Sequence, residues 1–125
     1  MDKKEKEVTI SRFEDLEIWK EGMRISVKIY EILQKCKDFG LKDQMQRAVV
    51  SIPSNIAEGF ERQTNKEFIQ FLYIAKGSCG ELRTQLYLAK EFKIITDEDF
   101  TALLSKLIQL SSMISNFIKT RKTNF

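Results

Sequence analysis

The chain has 125 residues, 42% hydrophobic and 31% charged, and a formal net charge of +3 from 21 Lys plus Arg against 18 Asp plus Glu. That length suits one domain able to bury roughly two-thirds of its extended-chain surface, so the core needs no disulfide or metal staple. Histidine is absent, which excludes Ser-His-Asp and Cys-His nucleophile systems, His-ligated zinc and the usual imidazole acid/base. Cys36 and Cys79 form no CxxC pair, so a Cys₄ zinc site and a thioredoxin-type motif are excluded too. They read as small core residues in a reducing compartment. No apolar run approaches the ~20 residues of a membrane span, and MDKKEKEV lacks the apolar centre of a signal peptide. A cytoplasmic protein without a cofactor or metal is expected.

Five glycines and one proline leave little punctuation, and the apolar spacing is helical throughout. Residues 1–10 read as a flexible charged segment. Ser11 with Glu14 fits a capping box opening a helix that runs to about Cys36, with Glu31 and Lys35 as an i,i+4 pair. KDFG ends that helix. A second runs from about Leu41 to about Glu61 with Pro53 inside it, where a kink is expected because proline removes the bond to the Val49 carbonyl. Ser51, Ser54 and Asn55 could serve the groups freed there. Thr64 and Glu67 form another capping box, opening a third helix that reaches about Phe92. Ile94 and Ile95 connect it to a fourth, capped by Thr96, with Asp97, Glu98 and Asp99 at its positive end. That helix frays near Lys119, leaving residues 120–125 as a basic tail. An all-α, antiparallel up-down-up-down four-helix bundle over 11–119 is therefore predicted.

The helical wheels are unusually apolar. On the first helix, Glu17, Lys20, Glu21, Arg24, Lys28, Glu31 and Lys35 share one narrow stripe, and the apolar arc opposite spans about 220°. Between Phe100 and Ile118 the only ionisable residue is Lys106. Helices apolar beyond one face suggest burial on two sides, hence self-association.

Candidate chemistry is sparse. Gly77-Ser78-Cys79-Gly80 lacks the GxxxxGK[ST] pattern of a P-loop and falls mid-helix, where small residues allow helices close approach. Ser54, Asn55, Glu58, Ser78 and Glu81 border apolar faces and read as a structural polar network with Arg62 as counter-charge. Glu58 and Glu81 have no partner base or ligand set, so no catalytic residue is assigned. The third helix carries the one functional row. Lys76, Arg83 and Lys90 repeat every seven residues beside Tyr73 and Tyr87, a combination that can neutralise phosphates and stack unpaired bases.

Three segments carry a resemblance: Phe13–Lys20 (FEDLEIWK), Gly40–Arg62 (GLKDQMQRAVVSIPSNIAEGFER) and Glu67–Leu86 (EFIQFLYIAKGSCGELRTQL). The chain resembles the small four-helix-bundle proteins named for the 23S ribosomal RNA intervening sequences. The resemblance implies a ring-like homopentamer. It also implies a tie to the accessory proteins of diversity-generating retroelements, which bind a reverse transcriptase and nucleic acid through a basic surface. In such proteins the Pro53–Gly59 run reads as a mark of fold and assembly, with no active site to carry over. Two departures stand out: CKDFGL is a short connection without proline, and GSCGELR replaces the family's GSL-ELE-like segment. A non-enzymatic oligomer that binds RNA or DNA is expected, with a protein-only scaffold or accessory subunit as the alternative. The partners are then a second copy of the chain, a nucleic acid, and a reverse transcriptase or other protein, with no membrane.

Overall fold

The computed structural model describes residues 10–124; the expected flexible segment falls, but for Ile10, outside the described residues. A 3₁₀ turn, Phe13–Asp15, leads into four helices: α1 (Glu17–Ile32), α2 (Phe39–Phe60), α3 (Asn65–Glu91) and α4 (Asp97–Asn124). Consecutive helices pack on one another and α1 closes the ring against α4, while the backbones of the diagonal pairs stay apart. This is the predicted antiparallel four-helix bundle. Its core is a column of aliphatic side chains, among them Ile25, Ile29, Met45, Ile52, Ile56, Leu72, Leu82, Leu86, Leu103, Leu107 and Leu110.

The helix ends show which local signals governed. Thr64 caps α3, accepting from the Glu67 amide at 3.1 Å, and its hydroxyl donates to the Glu67 carboxylate at 2.9 Å. Thr96 accepts from the Asp99 amide at 3.1 Å. The Ser11–Glu14 box does not form. Leu16 instead takes an extended conformation and is buried, so α1 opens at Glu17 without a side-chain cap. That break lets Phe13 fold back on Trp19, with ring centroids 5.5 Å apart. The aromatic contacts then continue through Phe60, Phe68 and Phe117 at 6.5, 5.8 and 5.7 Å, joining the turn to α2, α3 and α4 at one end of the bundle. Burying tilted rings on one another outweighs one cap hydrogen bond.

Two other boundaries move. Helix α1 stops at Ile32, so the expected Glu31–Lys35 pair is not made; Lys20–Glu17 and Arg24–Glu21 pair at 3.6 and 2.9 Å. Asp38 then caps α2 through the Leu41 amide at 3.1 Å, which starts that helix at Phe39. At the other terminus α4 runs on to Asn124, beyond the expected end at Lys119. Arg121 holds it there. Its Nε donates to Asn65 Oδ1 at 2.7 Å, Asn65 Nδ2 donates back to the Arg121 carbonyl at 2.9 Å, and the guanidinium lies 4.9 Å from the Phe68 ring centroid. The α3–α4 connection ends α3 in a Schellman arrangement: Ile94 N–H to the Ala89 carbonyl at 2.8 Å and Lys93 N–H to Lys90 at 3.0 Å. Lys93 sits at φ 58, where a side chain is strained.

Helix α2 continues unbroken through Pro53. The ring leaves the Val49 carbonyl without its i+4 donor. The Ser26 hydroxyl of α1 shares its one proton, with the shorter branch to the Gly22 carbonyl at 2.8 Å and the longer to Val49 O at 3.3 Å. Gly22 makes room for the ring, since a Cβ there would lie 3.3 Å from Pro53 Cδ. Of the residues expected to serve the break, Ser51 lies 2.7 Å from the Ala48 carbonyl and Asn55 Nδ2 donates to the Ser51 carbonyl at 2.7 Å, whereas Ser54 is exposed. Farther along, Gly59 lets α2 and α3 meet: a Cβ there would come within 2.6 Å of Phe71 Cβ and 2.9 Å of Phe68 Cδ1.

These contacts set opposite expectations for small substitutions. Ser26→Ala strands the buried Val49 carbonyl and should cost about 1–3 kcal/mol in urea denaturation. Lys93→Gly relieves the left-handed backbone and should add about 1 kcal/mol, despite the freer unfolded chain.

Candidate nucleic-acid interface

Helix α3 presents three flanks. Its buried flank carries Phe68, Leu72, Ala75, Cys79, Leu82, Leu86 and Ala89, with Phe71 half-buried beside them. Gln85 is buried among these apolar residues, which the sequence reading missed. Its Oε1 accepts no hydrogen bond. Burial pushes the Cys79 thiol up to about 12 from its ordinary 9.0, against a smaller opposing pull from Arg83. Cys36 is half-buried in the connection between α1 and α2, its sulfur 3.6 Å from the Asp38 carbonyl.

The flank toward α4 holds the basic row. Lys76, Lys90, Tyr73 and Tyr87 are exposed and Arg83 is half-buried. Lys90 Nζ sits 4.6 Å from the Phe100 ring centroid, and the Tyr87 ring meets Phe100 edge-on at 5.1 Å. At that end the first turn of α4 brings Asp97, Glu98 and Asp99 close in sequence to Phe100. Toward the other end Tyr73 meets Lys122 of α4, whose Nζ donates to the phenol oxygen at 2.7 Å. Sequence reading placed Lys122 in a frayed tail. The signal that it belongs with the row lay in α4's continuing length, visible only once Arg121 is seen bound to Asn65.

The flank toward α2 carries the polar contacts. Ser51 donates to Ser78 Oγ at 2.6 Å, and Ser78 passes its own proton to the Ile74 carbonyl at 3.2 Å. Asn55 joins through the Ser51 carbonyl. The expected five-member network is smaller than that: Ser54, Glu58 and Glu81 are exposed and stand outside it. Arg62 is not their counter-charge either; it pairs with Glu67 at 3.6 Å and lies over the Phe71 ring at 4.9 Å. A solvated carboxylate loses little without a partner, whereas a half-buried hydroxyl needs one. Gly77 and Gly80 also depart from expectation, for a Cβ at either would meet nothing within 4 Å. The close approaches inside the bundle are at Gly22 and Gly59 instead.

Elsewhere the surface offers shallow grooves. One, of about 490 Å³, lies between α1 and α2 against Val27, Tyr30, Lys42 and Gln46; another, of about 430 Å³, lies between the N-terminal turn and α4. Neither is lined by Glu58 or Glu81. Among the described residues no cluster of three or more Cys, Asp or Glu side chains could hold a metal, and no helix is long and apolar enough to cross a membrane.

Residues 14–116 match the 23S rRNA-intervening sequence protein family. The chain belongs to that family. A solved structure from Bacteroides thetaiotaomicron, described as a protein with unknown function from the S23 ribosomal protein family, superposes with a TM-score of 0.77 at 26% identity. The likeness covers 82% of this chain and 99% of that one. No curated protein sequence matches. The residues matched to the 23S rRNA-intervening sequence family run from the N-terminal turn into α4 and so take in the Pro53 junction and all of α3.

The difference between the two thiols gives a direct check. In the folded protein Cys36 should react with a maleimide at pH 8 while Cys79 stays protected until denaturant is added. Because the Cys79 thiol is raised on folding, its contribution to stability is intact below pH 9 and falls as pH climbs toward about 12. Cys79→Ser should flatten that decline in urea midpoints measured across alkaline pH.

Proposed function

We propose that this protein is a non-enzymatic, self-associating four-helix bundle that binds nucleic acid through the α3–α4 flank. The observation that carries the reading is the accessible row of Lys76, Arg83 and Lys90 with Tyr73 and Tyr87. Neither Lys76 nor Arg83 has an ion-pair partner among the described residues, so their charge is available to phosphates. Exposed tyrosine rings supply stacking surfaces for bases.

Self-association is supported by apolar surface that the single chain leaves uncovered. Val27 is 57% exposed, and Met23, Tyr30, Val50, Ile74 and Leu88 are all at least 40% exposed. Gly77 and Gly80 each weaken the interior of α3 by about 1 kcal/mol relative to alanine, and among the described residues nothing lies close enough to require them. Helix contact between copies would. Gly80 falls in line with Tyr73 and Tyr87, seven residues from each, so an oligomer, a pentamer by family resemblance, sets the basic rows of neighbouring copies near one another and multiplies them. Exposed Phe39 and Phe92, at 72% and 60%, favour a second reading in which the bundle is a scaffold for a protein partner.

Charge reversal at Lys76, Arg83 and Lys90 together should weaken binding of labelled RNA hairpins and DNA duplexes at least tenfold in fluorescence anisotropy. Unchanged affinity contradicts the site. In multi-angle light scattering the wild-type protein should have the mass of a pentamer. Gly77→Leu with Gly80→Leu, which has open space in a single chain, should lower that mass without lowering helicity.

A further inference from the structure

We infer that Tyr73 and Lys122 together form a clamp for one backbone phosphate of a single-stranded nucleic acid, a site that deepens the polymer-binding reading above and rests on it. The two residues are 49 positions apart in sequence and come from different helices. Lys122 Nζ lies 2.7 Å from the Tyr73 oxygen but 5.1 Å from its ring centroid, which puts the ammonium beyond the hydroxyl rather than above the ring. A phenol accepts and donates, and an ammonium carries three donors. With its oxygen receiving the Lys122 proton, the Tyr73 O–H is directed to donate outward. Two further N–H groups of Lys122 remain.

Among the described residues these donors meet no protein acceptor, and no carboxylate pairs with Lys122. The pair therefore presents a full positive charge and convergent donors without an anion to receive them. Two other cations along this flank differ: Lys90 is laid on Phe100 and Arg121 is tied to Asn65. A phosphodiester oxygen, an acceptor carrying negative charge, fits the donors and the charge together. Tyr73 is 46% exposed. Because the ammonium stands off its ring, a base adjoining the held phosphate can stack on that ring. Stacking of this kind requires an unpaired base, which selects single strands over duplexes.

The test is anisotropy of a labelled single-stranded oligonucleotide and a matched duplex, each at several salt concentrations. Tyr73→Phe keeps the ring and removes the hydroxyl, and should weaken single-strand binding about threefold or more. Lys122→Gln should weaken it about tenfold and reduce the salt slope by about 0.7, one phosphate's worth on a single strand. Lys122→Arg should restore the slope, while Lys106→Gln, a control on α4, should leave affinity within twofold. Circular dichroism melting of the exposed-site variants controls for folding. Salt-dependent binding by the wild type with Tyr73→Phe and Lys122→Gln unchanged overturns the clamp while leaving the polymer site standing. Duplex affinity equal to that for the single strand overturns the choice of ligand. No binding by the wild type removes the underlying reading as well.

Discussion

The bundle depends on how α1 and α2 resolve the proline between them. A proline inside a helix leaves one carbonyl without a donor, and a buried carbonyl left bare costs about 1–3 kcal/mol. Here Ser26 reaches across from α1 to Val49 O, and Gly22 one turn earlier leaves space for the Pro53 ring. One hydroxyl and one missing Cβ therefore fix the register of α1 against α2. Two turns farther along α2, Gly59 admits Phe68 and Phe71 of α3. The SIPSNIAEG run acts as a sequence of contact points: Pro53 toward α1, Ser51 and Asn55 at the α3 flank, and Gly59 where α2 and α3 come closest.

With α3 held in that way, its surface divides by neighbour. The core flank is dry enough to suppress ionisation of Cys79. On the α2 flank, the Ser51–Ser78 contact gives way to exposed Ile74, Gly77 and Leu88. The α4 flank brings cations from both helices beside exposed tyrosines. Packing between copies through Gly77 and contact with a polyanion can thus use different sides of one helix, with Gly80 at their border in line with Tyr73 and Tyr87. The separation is geometric: seven-residue spacing keeps Lys76, Arg83 and Lys90 in line along one side of the helix.

Much of this was legible in the sequence. Thr64 and Thr96 announced their helices because a threonine cap acts through local geometry alone. The row of Lys76, Arg83 and Lys90 was readable from its seven-residue spacing. What could not be read depends on contacts distant in sequence. Ser26 looks like any small residue on an apolar face until Pro53 is placed opposite it. Ser11 and Glu14 satisfy the capping pattern, yet the Phe13–Trp19–Phe60 packing pulls the chain elsewhere. Lys122 reads as tail until Asn65 is seen holding Arg121. Gly77 and Gly80 read as small residues for close helix approach, yet a Cβ at either meets nothing within 4 Å, whereas Gly22 and Gly59 make room for Pro53 and Phe71.

The central claim is that the α3–α4 flank holds a polyanion by its charge, and a salt series tests it most directly. Labelled single-stranded RNA titrated with the wild-type protein at several salt concentrations should bind, with log affinity falling linearly against log salt. Contacts from Lys76, Arg83, Lys90 and Lys122 predict a slope of about −3 for each protomer engaged. Binding curves that stay flat even at the lowest salt would contradict the account and leave the bundle as a protein scaffold.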